Sequence, residues 1–434
     1  MTHNMLPLDP GAKRAILDAC TALRSENTDF LASLVRHRSL LGHEQSCLFA
    51  MESAFSDLGL APFRVEIDVK KLAGHPGFSP PLIDYAGRAP VAALHRPRQT
   101  KGRSLLLQGH VDVVPEGAED LWTTPPYQPS IRDGRMYGRG AADMKAGVSA
   151  YVTALKALKL AGLQPAAEVQ VAAVVEEECT GNGALAVMQA LGKPDACLIP
   201  EPGPGYPALY TAEAGVVWAW ITVTGRPVHV REMHAGINAI EAAYIISSKF
   251  KAYEEEMNAG ERRHPAFAAD NHPININLGT IQGGEWNSSV PTRARIGLRV
   301  GVMPGYSCRD VARDIERLVA EAGADPRLAS AKIKLEFKGF MADGCVFPAD
   351  QPISLAVAAC HAEVFGDALR HYNAAGLTDA RHYVLYQGTQ ATCYGPDSEN
   401  IHGIDESVGL DSLYGVTQAL ALTIAGWCGV EKVE

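Results

Sequence analysis

Polar and apolar positions along the chain fall into two regimes. In the stretch "AILDACTALRSENTDFLASLV" apolar residues recur at three- and four-residue steps, which predicts helix over much of residues 11–60. From residue 105 short apolar runs alternate with longer amphipathic ones. "SLLLQGHVDVVP", "EVQVAAVV" and "ACLIPEPG" read as buried strands that end in polar residues. "VSAYVTALKALKLAGL", with Val148, Tyr151, Leu155 and Leu158 on one stripe, and "GALAVMQAL" read as helices between them. Strand, helix, strand, helix, strand predicts a mainly parallel sheet with helices on its faces. Sites in such sheets lie beyond the carboxyl ends of the strands.

Near residue 213 the period changes. "GVVWAWITVTG" alternates like a half-exposed antiparallel strand. A helix in "NAIEAAYIISSKFKAYEEEM", strands around "INLGTIQGG" and "RARIGLRVGV", a helix in "SCRDVARDIERLVAEAG" and the strand "KIKLEF" follow. From "QPISLAVAACHAEVF" the helix–strand alternation resumes. The chain therefore reads as an α/β domain in two parts, 1–212 and 338–434, with an α+β domain inserted at 213–337. The Pro/Gly-rich stretch "LAGHPGFSPPLIDYAGRAP" reads as a long surface loop, either functional or a plain insertion.

Composition narrows the function. The 434 residues carry 39 Lys+Arg against 49 Asp+Glu, a net charge of −10, with no long basic run. Nucleic acid and anionic membrane surfaces are poor partners for such a chain. No apolar run approaches the roughly 20 residues of a membrane span. The N-terminus lacks a signal-peptide core, so a cytoplasmic location is expected. Nine scattered cysteines without a CxxC pair fit free thiols and argue against thiolate zinc.

The chemistry sits at the strand ends. In "GHVDVV" His110 and Asp112 point to the same face of a strand. They form either a capping pair or a metal-binding imidazole with a carboxylate behind it. In "GRGAADMKAG" Asp143 stands between a glycine turn and a helix, as an N-cap or a ligand. "VVEEECTGNG" places Glu176, Glu177 and Glu178 at a strand terminus, where adjacent carboxylates call for a compensating positive charge. Glu201 in "IPEPG" repeats the arrangement, and His402 lies in the late polar loop "CYGPDSENIHGIDE". Oxygen and imidazole donors without cysteine suit zinc, manganese or cobalt. Five donors exceed the three protein ligands of one catalytic zinc. Two metals sharing one carboxylate fit the count.

"LLLQGHVDVVP", "YGRGAADMKAG", "VVEEECTGNGA", "ACLIPEPG", "GRPVHV" with "GINAIEAA", "INLGTIQGG" and "LTDAR…CYGP…IHGIDE" occur in that order over about residues 105–406. Together they resemble the co-catalytic metallohydrolases grouped with acetylornithine deacetylase, succinyl-diaminopimelate desuccinylase, aminoacylase-1 and carboxypeptidase G, nearest the acetylornithine deacetylase-like branch. The resemblance implies a co-catalytic metallopeptidase domain with a ferredoxin-like lid and dimerisation insert. It implies that His110 and His402 bind one metal each, that Asp143 bridges them, and that Glu178 and Glu201 complete the shells. Asp112 would orient His110, and Glu177 would be the general base. His229 in "GRPVHV" would be a lid histidine that, in homodimers, reaches the partner's site. Arg299, Arg381 and Asn287 would be substrate-binding candidates. The sequence departs from the family at Glu176, where Asp is usual. It also departs at Ser288, where many members have Asn, and at the additional His234.

The implied activity is hydrolysis of a linear amide, by metal-activated water, in a small N-acylated amino acid or amine. The cofactors would be two divalent ions, zinc first, with cobalt or manganese as alternatives. A dipeptidase or carboxypeptidase, or a deformylase or amidase acting on a heterocyclic or xenobiotic amide, would use the same centre. A binding protein without catalysis is disfavoured, because every expected ligand and the base are present.

Overall fold

The computed structural model describes residues 5–433. Helices Pro10–Ala22, Arg24–Val35 and Gln45–Asp57 form the N-terminal layer, as their periodicity predicts. The central sheet has nine strands. Its order runs Phe63–Arg64, Val91–His95, Val169–Val174, Leu105–His110, Ala196–Ile199, Gln390–Gly395, Ala208–Glu213 and Cys345–Val346, with Arg370–Ala374 paired beside Ala208–Glu213. The four strands from Val169–Val174 to Gln390–Gly395 are mutually parallel. Antiparallel pairings flank them at Val91–His95 and at Ala208–Glu213. The sheet is thus parallel at its centre and mixed at its margins. All of Leu105–His110 and Val169–Val174 is buried, as expected of strands covered on both faces.

Two close approaches seat helices on this sheet. A Cβ on Gly147, in the helix Lys145–Leu160, would lie 2.0 Å from the Pro200 carbonyl oxygen. One on Gly183, in the helix Asn182–Ala190, would lie 2.2 Å from the Val175 carbonyl oxygen. Both glycines let a helix touch the chain beside a site residue.

A second, four-stranded antiparallel sheet is ordered Ile276–Gly283, Arg293–Val302, Gly215–Thr224 and Lys332–Ala342. Helices Ala239–Asn258 and Cys308–Gly323 bury one face of it. Val217, Ala219, Ile221 and Val223 join Ile246, Phe250 and Ile315 there in a hydrophobic cluster separate from the main core. The strand beginning at Lys332 runs through residue 337 to Ala342.

The Pro/Gly-rich loop is more than a surface excursion. Ser79 and Arg88 are buried. Ser79 exchanges hydrogen bonds with Asn182, donating its N–H to Oδ1 at 3.1 Å and accepting from Nδ2 at 2.8 Å. The Pro80 carbonyl accepts from Gly339 N–H at 2.8 Å, and Ser79 Oγ accepts from Met341 N–H at 3.1 Å. The loop therefore ties the turn region of the central sheet to the last strand of the second sheet. Among the described residues no helix is long and apolar enough to cross a membrane.

Candidate metal centre

His110 ends a central parallel strand, and the neighbouring strand leads into the turn that carries Glu176–Glu178. Glu201 follows the strand Ala196–Ile199 on the other side. Asp143 precedes the helix Lys145–Leu160. His402 lies between strands Asp397–Glu399 and Ser407–Gly409, in a left-handed backbone with φ 61°.

These groups converge. His110 Nε2 is 3.1 Å from Asp143 Oδ1 and 3.9 Å from Glu201 Oε1. His402 Nε2 is 3.4 Å from Asp143 Oδ2 and 3.0 Å from Glu178 Oε2. Asp143 thus faces one histidine with each oxygen. Two donor sets share it, His110–Asp143–Glu201 and Asp143–Glu178–His402, with donor atoms in each within 4.8 Å of one another. Donors at ordinary zinc distances, arranged tetrahedrally, stand about 3.3 Å apart, so the residues fit a pair of small divalent ions. Glu201 Oε1 is buried and has no hydrogen-bond partner, an acceptor left for a cation.

The electrostatics agree. Burial raises the Glu177 carboxyl well above its ordinary range, and Asp379, Glu201 and Glu178 add to that against the pull of His110. Burial likewise raises Glu201 despite His110. Glu178 pushes His402 up to about 11. Burial lowers His110, yet its bond to Asp143 and the charges of Glu201 and Glu177 hold it well above the usual imidazole value. The cluster is an excess of buried negative charge that protons on two imidazoles offset in part. Divalent cations would replace those protons.

Asp112 supports the centre in two ways. Its backbone carbonyl lies 2.9 Å from His110 Nδ1, and its carboxylate lies 3.7 Å from the same atom. The carboxylate also accepts the backbone N–H groups of Glu177 at 3.3 Å and Glu178 at 3.2 Å. The orienting partner of His110 expected from sequence was the carboxylate. The nearer group is the carbonyl, because the carboxylate is drawn to the glutamate turn.

The glutamate triplet splits. Glu176 has φ 64° and is fully buried, and its carbonyl accepts from Thr180 and Gly181 N–H at 2.9 and 2.7 Å. Its carboxylate takes bonds from Arg88 Nη1, Tyr85 hydroxyl and Thr180 Oγ1 at 2.7, 2.6 and 2.7 Å. Arg88 also binds Glu44 through Nε at 3.1 Å and Nη2 at 2.5 Å. Glu178 turns to His402. Glu177 Oε2 lies 3.9 Å from His110 Nε2; it is outside the two sets that share Asp143, and with His110 and Glu178 it forms a third group of donors within 4.8 Å of one another.

Glu177, Glu178, Asp112 and His402 open onto a cavity of about 810 Å³. Arg299 lines it as well, its guanidinium donating to the Asn275 and Ala375 carbonyls at 3.1 and 2.7 Å. Arg381 does not reach the cavity lining. It is buried, with Nη1 on the Thr378 carbonyl at 2.9 Å and Nη2 on the Thr180 carbonyl at 3.1 Å. Asn287, Ser288, His229 and His234 are exposed. Asn287 lines a separate hollow with Trp286 and Met233, and His229 Nδ1 accepts the Arg231 N–H at 3.1 Å. Within one chain these four are not brought to the centre.

Glu406 was not singled out by the sequence reasoning. It is buried and accepts Arg139 Nη1 at 2.5 Å, Gly140 N–H at 3.1 Å, and the N–H groups of Ala142 and Asp143 at 3.0 Å each. It therefore fixes the loop that presents Asp143. Its only signal was its place in "IHGIDE", four residues after His402.

The fold and the sequence both have known counterparts. The structure superposes on the di-peptidase Dug1p from Saccharomyces cerevisiae with TM-score 0.77 over 96% of this chain and 98% of that one, at 13% identity. A Staphylococcus aureus (strain MRSA252) protein named for succinyl-diaminopimelate desuccinylase is 33% identical over 222 residues. That match is 46% of this chain and 54% of the other, so the chain spans about half of that relative. The N-formyl-4-amino-5-aminomethyl-2-methylpyrimidine deformylase of Halalkalibacterium halodurans is 26% identical over 371 residues, 79% of this chain and 83% of that one. Residues 106–426 match the peptidase family M20/M25/M40. With three quarters of its length inside that match and its strand-end donors converging as described, the chain belongs to peptidase family M20/M25/M40.

Proposed function

We propose that the chain is a metal-dependent amidohydrolase that cleaves the amide bond of a small N-acylated amino acid or amine. The observation that carries this reading is Asp143 standing between His110 and His402, with Glu201 and Glu178 each beside a different histidine. Two divalent ions held there, zinc or else cobalt or manganese, would lower the pKa of a water and polarise the scissile carbonyl. Asp143 would be shared between them.

The chain's own residues supply the rest. Glu177 sits at the junction of the donor sets and the cavity, where its carboxylate is placed to take a proton from a water. It removes the proton from the attacking water and returns it to the leaving amine, so that the products are a carboxylate and a free amine. Asp112 holds the Glu177–Glu178 backbone through its carboxylate. Arg299 receives a substrate carboxylate.

The 213–337 segment serves as lid and dimerisation domain in this reading. His229, exposed and not among the residues that line its own cavity, serves the partner's site in a homodimer, where it stabilises the oxyanion. Nine free buried thiols favour a reducing compartment, the cytoplasm. Dipeptide or formamide cleavage would use the same residues. The test is a turnover panel of N-acetyl, N-formyl and N-succinyl amines and dipeptides after reconstitution with each metal. Hydrolysis of the acylated amines supports the proposal. Cleavage confined to dipeptides, or to none, rejects it.

A further inference from the structure

The strand Gly215–Thr224 alternates between two faces. Its odd-numbered residues, Val217, Ala219, Ile221 and Val223, pack under the helices. Its even-numbered residues face away from them, where a solvated sheet surface carries polar side chains. Thr222 and Thr224 obey that rule, but Val216, Trp218 and Trp220 do not. These three line the 810 Å³ cavity in front of Glu177.

The two indoles are held in built seats. Opposite Trp218 the last strand of the sheet carries an irregularity, since Val217 pairs with Met341 but Ala219 pairs with Phe337. Gly339 in that irregularity has φ 85°, and a Cβ there would lie 2.4 Å from the Trp218 ring. Phe340 meets Trp218 edge to face at 5.4 Å and 88°. Trp220 donates its indole N–H to the Lys338 carbonyl at 3.0 Å. Its ring crosses Gly297, where a Cβ would fall 2.9 Å from it. Arg299 stands directly opposite Trp218 on the neighbouring strand, and Gly297 opposite Trp220. Among the described residues no carboxylate pairs with Arg299. The cavity thus combines a fixed aromatic wall, with Leu82 and Leu377 beside it, and a single guanidinium.

We infer that this wall is a specificity platform for an amide whose acyl or amine part bears a planar aromatic ring, with a carboxylate that reaches Arg299. The inference rests on the amide-hydrolysing reading and deepens it. Rigid indoles supply stacking area at little entropic cost, and a planar ring is the shape that uses it.

The experiment compares kcat/KM for N-acetylglycine with that for N-benzoylglycine, which has its ring on the acyl side, and N-acetylphenylalanine, which has it on the amine side. The metal-loaded enzyme and its Trp218→Ala, Trp218→Phe and Trp220→Ala variants are measured. The expected result is at least a tenfold preference for one ring-bearing amide. Trp218→Ala should lose most of that preference and Trp218→Phe should keep most of it. Equal kcat/KM for the three amides in the unmodified enzyme overturns the inference. Quenching of tryptophan fluorescence by benzoate distinguishes ring binding from amide hydrolysis. Quenching that Trp218→Ala abolishes, without turnover of any amide, keeps the platform and rejects the amidohydrolase. Turnover of N-acetylglycine without quenching or ring preference keeps the amidohydrolase and rejects the platform.

Discussion

Glu176, Glu177 and Glu178 are consecutive in the chain, yet each meets a different partner. The left-handed backbone at Glu176 turns its carboxylate back to Arg88 and leaves the next two facing the donor sets. Arg88 is thus the guanidinium that balances Glu176, and it balances Glu44 too. Replacing Arg88 by Met should leave two buried carboxylates without a cation and cost about 3–5 kcal/mol. Urea unfolding measures this, and a loss under about 1 kcal/mol would deny Arg88 that role. The candidate donors could be picked out of the sequence only jointly, because each strand-end polar residue alone also reads as a cap or a turn, and the family resemblance supplied their roles. Arg88 could not be, since its partners lie 44 and 88 residues away along the chain. Arg381 shows the opposite case. A motif places it near the site, but its guanidinium is buried on two backbone carbonyls outside the cavity lining, whereas Arg299, also on two carbonyls, lines the cavity.

At the scale of elements, helix-to-strand contact sets the position of the donors. Gly147 lies against Pro200, one residue before Glu201. Gly147→Ala should push the helix and Glu201 apart and weaken the His110–Asp143–Glu201 set. Calorimetric metal titration should then show one site weakened and the other kept, and two unchanged sites would contradict the assignment. Gly339→Ala meets both a positive φ and the Trp218 ring, so a loss of about 1–3 kcal/mol is expected in thermal unfolding. Strand and helix periods revealed most elements, including the inserted sheet, because each buries one regular face. They did not reveal the aromatic wall. The alternation in "GVVWAWITVTG" shows two faces but not which cavity the second one fronts. The loop between residues 73 and 90 was opaque too, for it has no period and its bonds are individual, to Asn182, Glu176 and the strand Lys332–Ala342.

Across the whole molecule, the proposed cation pair and the proposed lid role of residues 213–337 make the predictions of widest reach. At a free cation concentration of 100 times Kd, each site should add about 2.7 kcal/mol to stability. Chelation should therefore lower the melting temperature and abolish turnover, and re-addition of zinc, cobalt or manganese should restore both. If His229 serves the partner's site, mixing His229→Ala with Glu177→Ala should recover part of the activity that each lacks alone, and no recovery would place the histidine's role within its own chain or elsewhere. Glu177 is proposed to act on the water without holding a metal. This is tested most directly by Glu177→Gln, assayed for bound metal and turnover in the same reconstituted sample. The expected result is two divalent ions per chain with turnover reduced about 10²- to 10⁴-fold. Turnover near that of the unmodified enzyme, or loss of a metal ion along with the activity, would contradict it.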